Sequence, residues 1–138
     1  MVITGAASGI GAALAIACVK LNANVFIADK NGNGLRSIAE KLKCNYQVCD
    51  VSKEYNVSEL VREVQFKFGH IDLFCSNAGV FFKDKLGSVT VENKYWEEAW
   101  QVNMMSHVYA ARYALPQMIE RQSGYFLQII SAAALLSQ

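Results

Sequence analysis

The stretch Thr4-Gly5-Ala6-Ala7-Ser8-Gly9-Ile10-Gly11 lies between a short apolar run, Met1–Thr4, and an alanine-rich helical segment, Gly9–Leu21. A strand that turns through glycines into a helix start presents unpaired backbone N–H groups and the positive end of a helix dipole. Both suit the pyrophosphate of a dinucleotide. The Gly-x3-Gly-x-Gly spacing differs from the commoner G-x-G-x-x-G fingerprint, and on its own it also reads as a flexible turn. The next apolar run, Asn24–Ala28, decides between the two, because Asp29 closes it. A carboxylate at the end of a second strand, roughly 20 residues past the glycines, is placed to hydrogen-bond an adenosine ribose diol.

Outward from this point the pattern alternates. Apolar β-type runs at Met1–Thr4, Asn24–Ala28, Asn45–Val48, Ile71–Cys75 and Tyr125–Ile130 are separated by helix-like stretches at Gly9–Leu21, Leu35–Leu42, Glu54–Phe68 and Tyr95–Arg121. Such alternation predicts an α/β fold, a Rossmann-type doubly wound parallel sheet with helices on both faces and right-handed crossovers. Val57, Leu60, Val61, Val64 and Phe68 recur at spacings of three and four, as a helix lying on a sheet requires. Core packing is the expected role for these and for Phe66, Trp96, Trp100 and Tyr113. Asn31-Gly32-Asn33-Gly34 reads as turn punctuation. The longest irregular stretch runs from Val80 to Asn93 and holds Phe81, Phe82, Lys83, Asp84, Lys85 and Gly87. Its aromatic pair either lines a substrate pocket or packs on the domain.

At 138 residues the chain is one domain's worth, spanning 1–138, and is large enough to bury a core. Thirteen basic and 12 acidic side chains nearly cancel, with no basic stripe, so neither nucleic acid nor a membrane surface is an expected partner. Cys18, Cys44, Cys49 and Cys75 form no C-x-x-C pair, and with two histidines a zinc site is not expected. The expected setting is reducing and cytoplasmic. Ala12–Val19 resembles a secretory apolar region, but no positive charge precedes it. The sequon Asn56-Val57-Ser58 matters only in a secreted chain.

Together the residues resemble the short-chain dehydrogenase/reductase family, in its branch with a TGxxxGxG loop. Five motifs match in order: Thr4–Gly11; Asp29; Asp50-Val51; Asn77-Ala78-Gly79; and Asn103, after Trp100-Gln101-Val102, with Ser131 in Leu127–Ala133. The resemblance covers Met1 to Gln138. It implies that Gly5 permits the tight turn, Gly9 lets the backbone approach the pyrophosphate, and Gly11 allows close helix–strand packing. Ser8 and Ile10 would add cofactor contacts. Asp50 and Val51 would meet the adenine, although Asp50 also reads as a cap for the helix near Glu54, with Ser52 the better cap. Asn77, Ala78 and Gly79 would floor the nicotinamide ribose, or simply make a turn after a strand.

Asp29 favours NAD over NADP, because its charge opposes a 2′-phosphate; Lys30 argues partly the other way. The chemistry implied is hydride transfer between nicotinamide and an alcohol or carbonyl substrate. Ser131 would hydrogen-bond the substrate oxygen as charge develops there. Asn103 would hold a water in the proton relay, or else satisfy a buried backbone group.

The family's acid/base is a tyrosine with a lysine four positions later. Unperturbed tyrosine titrates near 10, so work at neutrality requires a shift of about three units. None of the six tyrosines here has lysine at that spacing. The family's tyrosine would fall beyond Gln138, and the chain opens inside its first strand, so the expectation is the cofactor-binding part of a longer reductase, truncated after the fifth strand and inactive alone. The apolar tail Ala132–Leu136 and the fifth strand's edge are then expected to lie uncovered. The family commonly forms homo-oligomers through the helix holding Asn103 and the one after it, and only the first is present. The other readings are a non-catalytic dinucleotide-binding module, a sugar-nucleotide epimerase, disfavoured by Ser8, and a flavodoxin-like protein, disfavoured by Asp29 and the Asn77–Gly79 turn.

Overall fold

The computed structural model describes residues 1–83 and 90–131. Five strands, β1 (Val2–Thr4), β2 (Phe26–Asp29), β3 (Asn45–Val48), β4 (Leu73–Ser76) and β5 (Tyr125–Gln128), form one parallel sheet in the order β3-β2-β1-β4-β5. The helices between them are α1 (Gly9–Lys20), α2 (Gly32–Leu42), α3 (Glu54–Phe68), α4 (Asn93–Trp100) and α5 (Ser106–Glu120). Residues Gln101–Met105 join α4 to α5 as a single π turn.

The sheet is buried on both faces because its strands carry apolar side chains at consecutive positions, as parallel strands do. Val2, Phe26, Ala28 and Phe74 face one core, closed by Val57, Leu60, Val61 and Val64 of α3 and by Ala110, Ala114 and Met118 of α5. Ile3, Ile27 and Cys75 face the other, closed by Ala15 of α1 and by Leu35 and Ala39 of α2. In register, Ile3 stands between Ile27 and Cys75, and Val2 between Phe26 and Phe74. The doubly wound arrangement expected from the alternating pattern is therefore present.

Several local expectations are corrected. Asn31–Gly34 is not a free turn: the Asn31 side chain caps α2 by accepting the Gly34 N–H at 3.1 Å, so Gly32 to Gly34 are already helical. Ser52 does not cap α3; Lys53 occupies that position without a side-chain hydrogen bond. The helical stretch expected over Tyr95–Arg121 is present as α4 and α5, with helical backbone running on through the π turn between them. Phe66, Trp96 and Trp100 are not core residues, being 87 %, 53 % and 58 % exposed. Phe66 falls out of phase with the Val57–Val64 stripe, and α4 buries none of its residues. Tyr113 does pack against the core. Asp84, Lys85, Gly87 and the tail Ala132–Leu136 lie outside the described residues. Among the described residues β5 pairs only with β4, leaving Tyr125 and Ile130 exposed. Among them, too, no helix is long and apolar enough to cross a membrane.

Candidate cofactor cleft

Strand order reverses between β1 and β4, and in an open parallel sheet a crevice forms beyond the carboxyl ends of strands at such a point. Two side chains join these ends. The Thr4 hydroxyl accepts the backbone N–H groups of Asn77 at 3.0 Å and Ala78 at 3.3 Å. In return the Asn77 amide donates to the carbonyls of Thr4 at 2.9 Å and Gly5 at 3.3 Å. The turns after β1 and β4 are thus one hydrogen-bonded unit. Asn77, expected from sequence as a cofactor contact or as ordinary turn chemistry, has its amide committed to holding the glycine loop.

The loop itself needs its glycines for three different reasons. Gly5 has φ +67°, and a β-carbon there would sit 2.7 Å from Ala78 Cα. Gly11 is fully crowded: a β-carbon would stand 2.3 Å from the Gly5 carbonyl oxygen and 2.6 Å from the Asn77 amide nitrogen. Gly9, at φ +56°, would meet no heavy atom within 4 Å, so its outer side is open cleft. Ser8 is the N-cap of α1 yet makes no side-chain capping bond, and the first turn of α1 holds no acidic residue. The positive end of this helix therefore faces the cleft with no acidic side chain in its own first turn. A backbone cradle with open space on its ligand side fits a dinucleotide pyrophosphate.

Asp29 closes β2 and turns both carboxylate oxygens onto backbone. Its Oδ2 accepts the Ala7 N–H and its Oδ1 the Asn31 N–H, both at 2.9 Å. It thereby ties the glycine loop to the start of α2 while lining the cleft. Asp50 Oδ1 accepts the Ser52 N–H at 3.0 Å, which makes a local turn rather than a helix cap. Between these acids in the wall lies Cys49, whose thiol is pushed up to about 12 by burial and by the neighbouring Asp50 and Asp29 charges.

The cleft has a volume of about 520 Å³ and is lined by Gly5, Ser8, Gly9, Ile10, Asp29, Asp50, Val51, Asn77, Ala78 and Gly79. Of the residues assigned to the cofactor from sequence, Gly11 alone stands behind this wall. The lining also includes Lys30, Cys49, Val80, Val102 and Ile129. Lys30 is legible from its place directly after Asp29, but Cys49, Val80, Val102 and Ile129 are not, because nothing local marks which apolar side chain ends a strand at a crevice. Thr4 is legible only as the first letter of the loop motif.

Asn103 sits in the π turn, a helix irregularity that recurs at functional sites. Its Oδ1 accepts the Val80 N–H and its Nδ2 donates to the Val80 carbonyl, each at 2.8 Å. The side chain thus satisfies the Val80 backbone, which is only partly buried, whereas the alternative expected from sequence was a buried backbone group. Ser131 lies exposed just past β5, two residues beyond the lining residue Ile129. Behind Asn77, the buried Ser76 hydroxyl meets His107 Nδ1 of α5 at 2.7 Å. Burial holds the His107 imidazole below its usual range.

A second, apolar cavity of about 180 Å³ shares Val80 with the cleft and is lined by Phe81, Phe82, Val91, Tyr95, Trp96, Ala99 and Asn103. Phe82 packs on Tyr95, with ring centroids 5.0 Å apart, while Phe81 is 77 % exposed. Among the described residues no group of three or more metal-ligating side chains converges.

Comparison with known proteins gives a consistent picture. A family model described as short chain dehydrogenase matches residues 1–138. An uncharacterized oxidoreductase of Staphylococcus aureus strain MRSA252 is 34 % identical over 133 residues, covering 94 % of this chain and 57 % of that protein. A similar uncharacterized oxidoreductase of Staphylococcus saprophyticus is 31 % identical over 136 residues, with the same coverage. The chain thus spans just over half the length of these curated relatives. A short-chain dehydrogenase from Streptomyces avermitilis, known from a crystal structure, superposes with a TM-score of 0.89 at 24 % identity, over 99 % of this chain and 50 % of that one, and so shares its fold.

Proposed function

Since this chain belongs to the short-chain dehydrogenase family of oxidoreductases, we propose that its cleft is the seat of NAD(H) and that its chemistry is of the alcohol dehydrogenase or carbonyl reductase type. The observation that carries the reading is Asp29, a carboxylate standing in the cleft wall at the end of β2 and hydrogen-bonded to the glycine loop itself. A negative charge at that place favours the ribose diol of NAD over a 2′-phosphate. The first turn of α1 and the Gly9 backbone would take the pyrophosphate, and Asn77, Ala78 and Gly79 would floor the nicotinamide side. When bound, the dinucleotide supplies or accepts the hydride that interconverts an alcohol and a carbonyl. The Ser131 hydroxyl would donate to the substrate oxygen as negative charge builds on it. Asn103 acts by holding the Val80 backbone, and with it the floor of the cleft.

The chain alone is proposed to bind NAD weakly at best and without turnover. That part of the reading is supported by its tyrosines, none of which has the lysine partner that would bring a phenol into the working range of a general acid. A non-catalytic dinucleotide-binding module is the second reading, favoured by the same observation. Four cysteines without a C-x-x-C pair support a reducing, cytoplasmic setting.

Calorimetric titration with NAD tests the cofactor assignment, with Asp29→Ala as the control. Binding by the parent chain and a loss of about tenfold or more in the variant are expected, as charge-assisted hydrogen bonds to the ribose and to the loop disappear together. Absence of binding by the parent chain, or indifference to Asp29→Ala, overturns it. Measurable NAD-linked alcohol oxidation by the chain would overturn the inactivity.

A further inference from the structure

Lys30 is the residue after Asp29, and it lines both the cofactor cleft and an adjoining polar pocket of about 530 Å³. In that second pocket stand Asp50, Glu97 and Glu98 with Lys53 and Lys94. Lys94 is paired with Glu92 at 2.9 Å. Lys30 Nζ reaches Glu98 Oε1 of α4 at 3.3 Å, joining the end of β2 to a helix 68 residues further along the chain.

We propose that Glu98 is a specificity-determining residue that excludes 2′-phosphorylated dinucleotides by holding Lys30 in an ion pair. The proposal rests on the NAD reading of the cleft. A cation directly after the ribose-binding acid is placed where a 2′-phosphate would emerge, and by itself it would tolerate that phosphate. Glu98 removes this tolerance in two ways. It occupies the ammonium group, and it adds a carboxylate to the field already set by Asp29 and Asp50. A phosphate dianion would have to break the pair and enter a pocket that also holds Asp50, Glu97 and Glu98.

The Lys30 and Glu98 side chains are 59 % and 42 % exposed. An ion pair so open to water contributes little to folding. Its effect therefore appears in ligand selection, where a charge brought next to it meets an occupied partner. The pair adds to the discrimination that Asp29 supplies, because a free Lys30 beside Asp29 would offset part of its charge.

The test compares adenosine 2′,5′-bisphosphate with 5′-AMP, which differ only by the phosphate, and NADP with NAD. All four are titrated calorimetrically against the parent chain, Glu98→Gln, Glu98→Ala and the double variant Lys30→Ala/Glu98→Gln. Both single variants are expected to raise the NADP-to-NAD affinity ratio, and the matching ratio for the smaller probes, by about tenfold at low salt, since a charge-assisted bond to phosphate is gained and a repulsion is lost. The gain should shrink as salt rises and fall by its larger part in the double variant, which keeps only the relief of repulsion. An unchanged ratio in the single variants overturns the proposal, as does a gain that survives in full without Lys30. Loss of NAD binding in both single variants also overturns it, because Glu98 would then serve the whole cofactor rather than the phosphate alone. Failure of the parent chain to bind NAD or 5′-AMP is a separate result, which overturns the cofactor reading and takes the proposal with it.

Discussion

Asn103 holds the backbone of Val80 from both sides, accepting its N–H and donating to its carbonyl at 2.8 Å each. The pair joins the π turn after α4 to the strand end that carries Asn77, Ala78 and Gly79. Because Asn103 is exposed, water can replace part of what is lost. Asn103→Ala is therefore expected to cost about 1 kcal/mol in chemical denaturation and to weaken NAD binding by loosening the Asn77–Val80 segment. Asn103→Asp retains the acceptor and should fall between the two. Equal NAD affinities for all three proteins would show that the clamp does not reach the cleft.

Two glycines of one loop are expected to fail differently. Gly11→Ala places a methyl group against the Gly5 carbonyl and the Asn77 amide, an overpacking that costs about 1–3 kcal/mol. Gly9→Ala meets nothing, and its cost is the strain of a positive φ, about 1 kcal/mol. Its methyl projects into open cleft, however, so its loss of NAD affinity should exceed its loss of stability. Thermal denaturation beside calorimetry separates the two effects. The same ratio of affinity loss to stability loss in both variants would mean that the open side of Gly9 does not face the ligand.

Stability should depend on pH through His107. Its imidazole is buried against Ser76, and desolvation lowers its pKa in the folded chain. The unfolded chain takes up this proton near pH 6.5 while the folded chain resists it. The stabilisation is therefore complete above about pH 6.5 and is lost as pH falls from there through the folded value. Denaturation midpoints measured between pH 7 and pH 5 should decline, and His107→Gln should flatten that decline. An identical slope in the variant would remove His107 as its source.

Cys49 should be inert although it lines the cleft. Burial and the Asp50 and Asp29 charges keep its thiol protonated, with a pKa of about 12, and the thiolate is the reactive form. Mass spectrometry after iodoacetamide treatment at pH 8 should find Cys49 unlabelled in the native chain and labelled once it is denatured. Rapid native labelling would contradict the burial.

Much of the fold is legible in the sequence because it depends on local periodicity. Val57, Leu60, Val61 and Val64 repeat at helical spacing, and they close one core. The runs around Ile3, Ile27 and Phe74 are apolar without alternation, as strands covered on both faces must be. The site is legible where one residue type is obligatory. Gly5 and Gly9 are required by positive φ, and Gly11 by contact with backbone. Trp96 and Trp100 mislead because aromatic bulk reports nothing about which side of a helix finds a partner. Asn31 misleads because a capping side chain and a turn residue are the same residue type until the Gly34 N–H is seen bonded to it.

Sequence order alone determined that strand, glycine loop, helix, strand and acid succeed one another, and hence that this is a parallel sheet with helices packed on both faces. Only the tertiary structure decided what those residues hold. Asp29 grips Ala7, Thr4 grips Asn77, Asn103 grips Val80, and Lys30 meets Glu98. Each of these pairs lies 22 or more residues apart in the chain. Hydrogen bonds and ion pairs act over a few ångströms, and no rule of spacing brings such partners together. Packing of the helices on the sheet does.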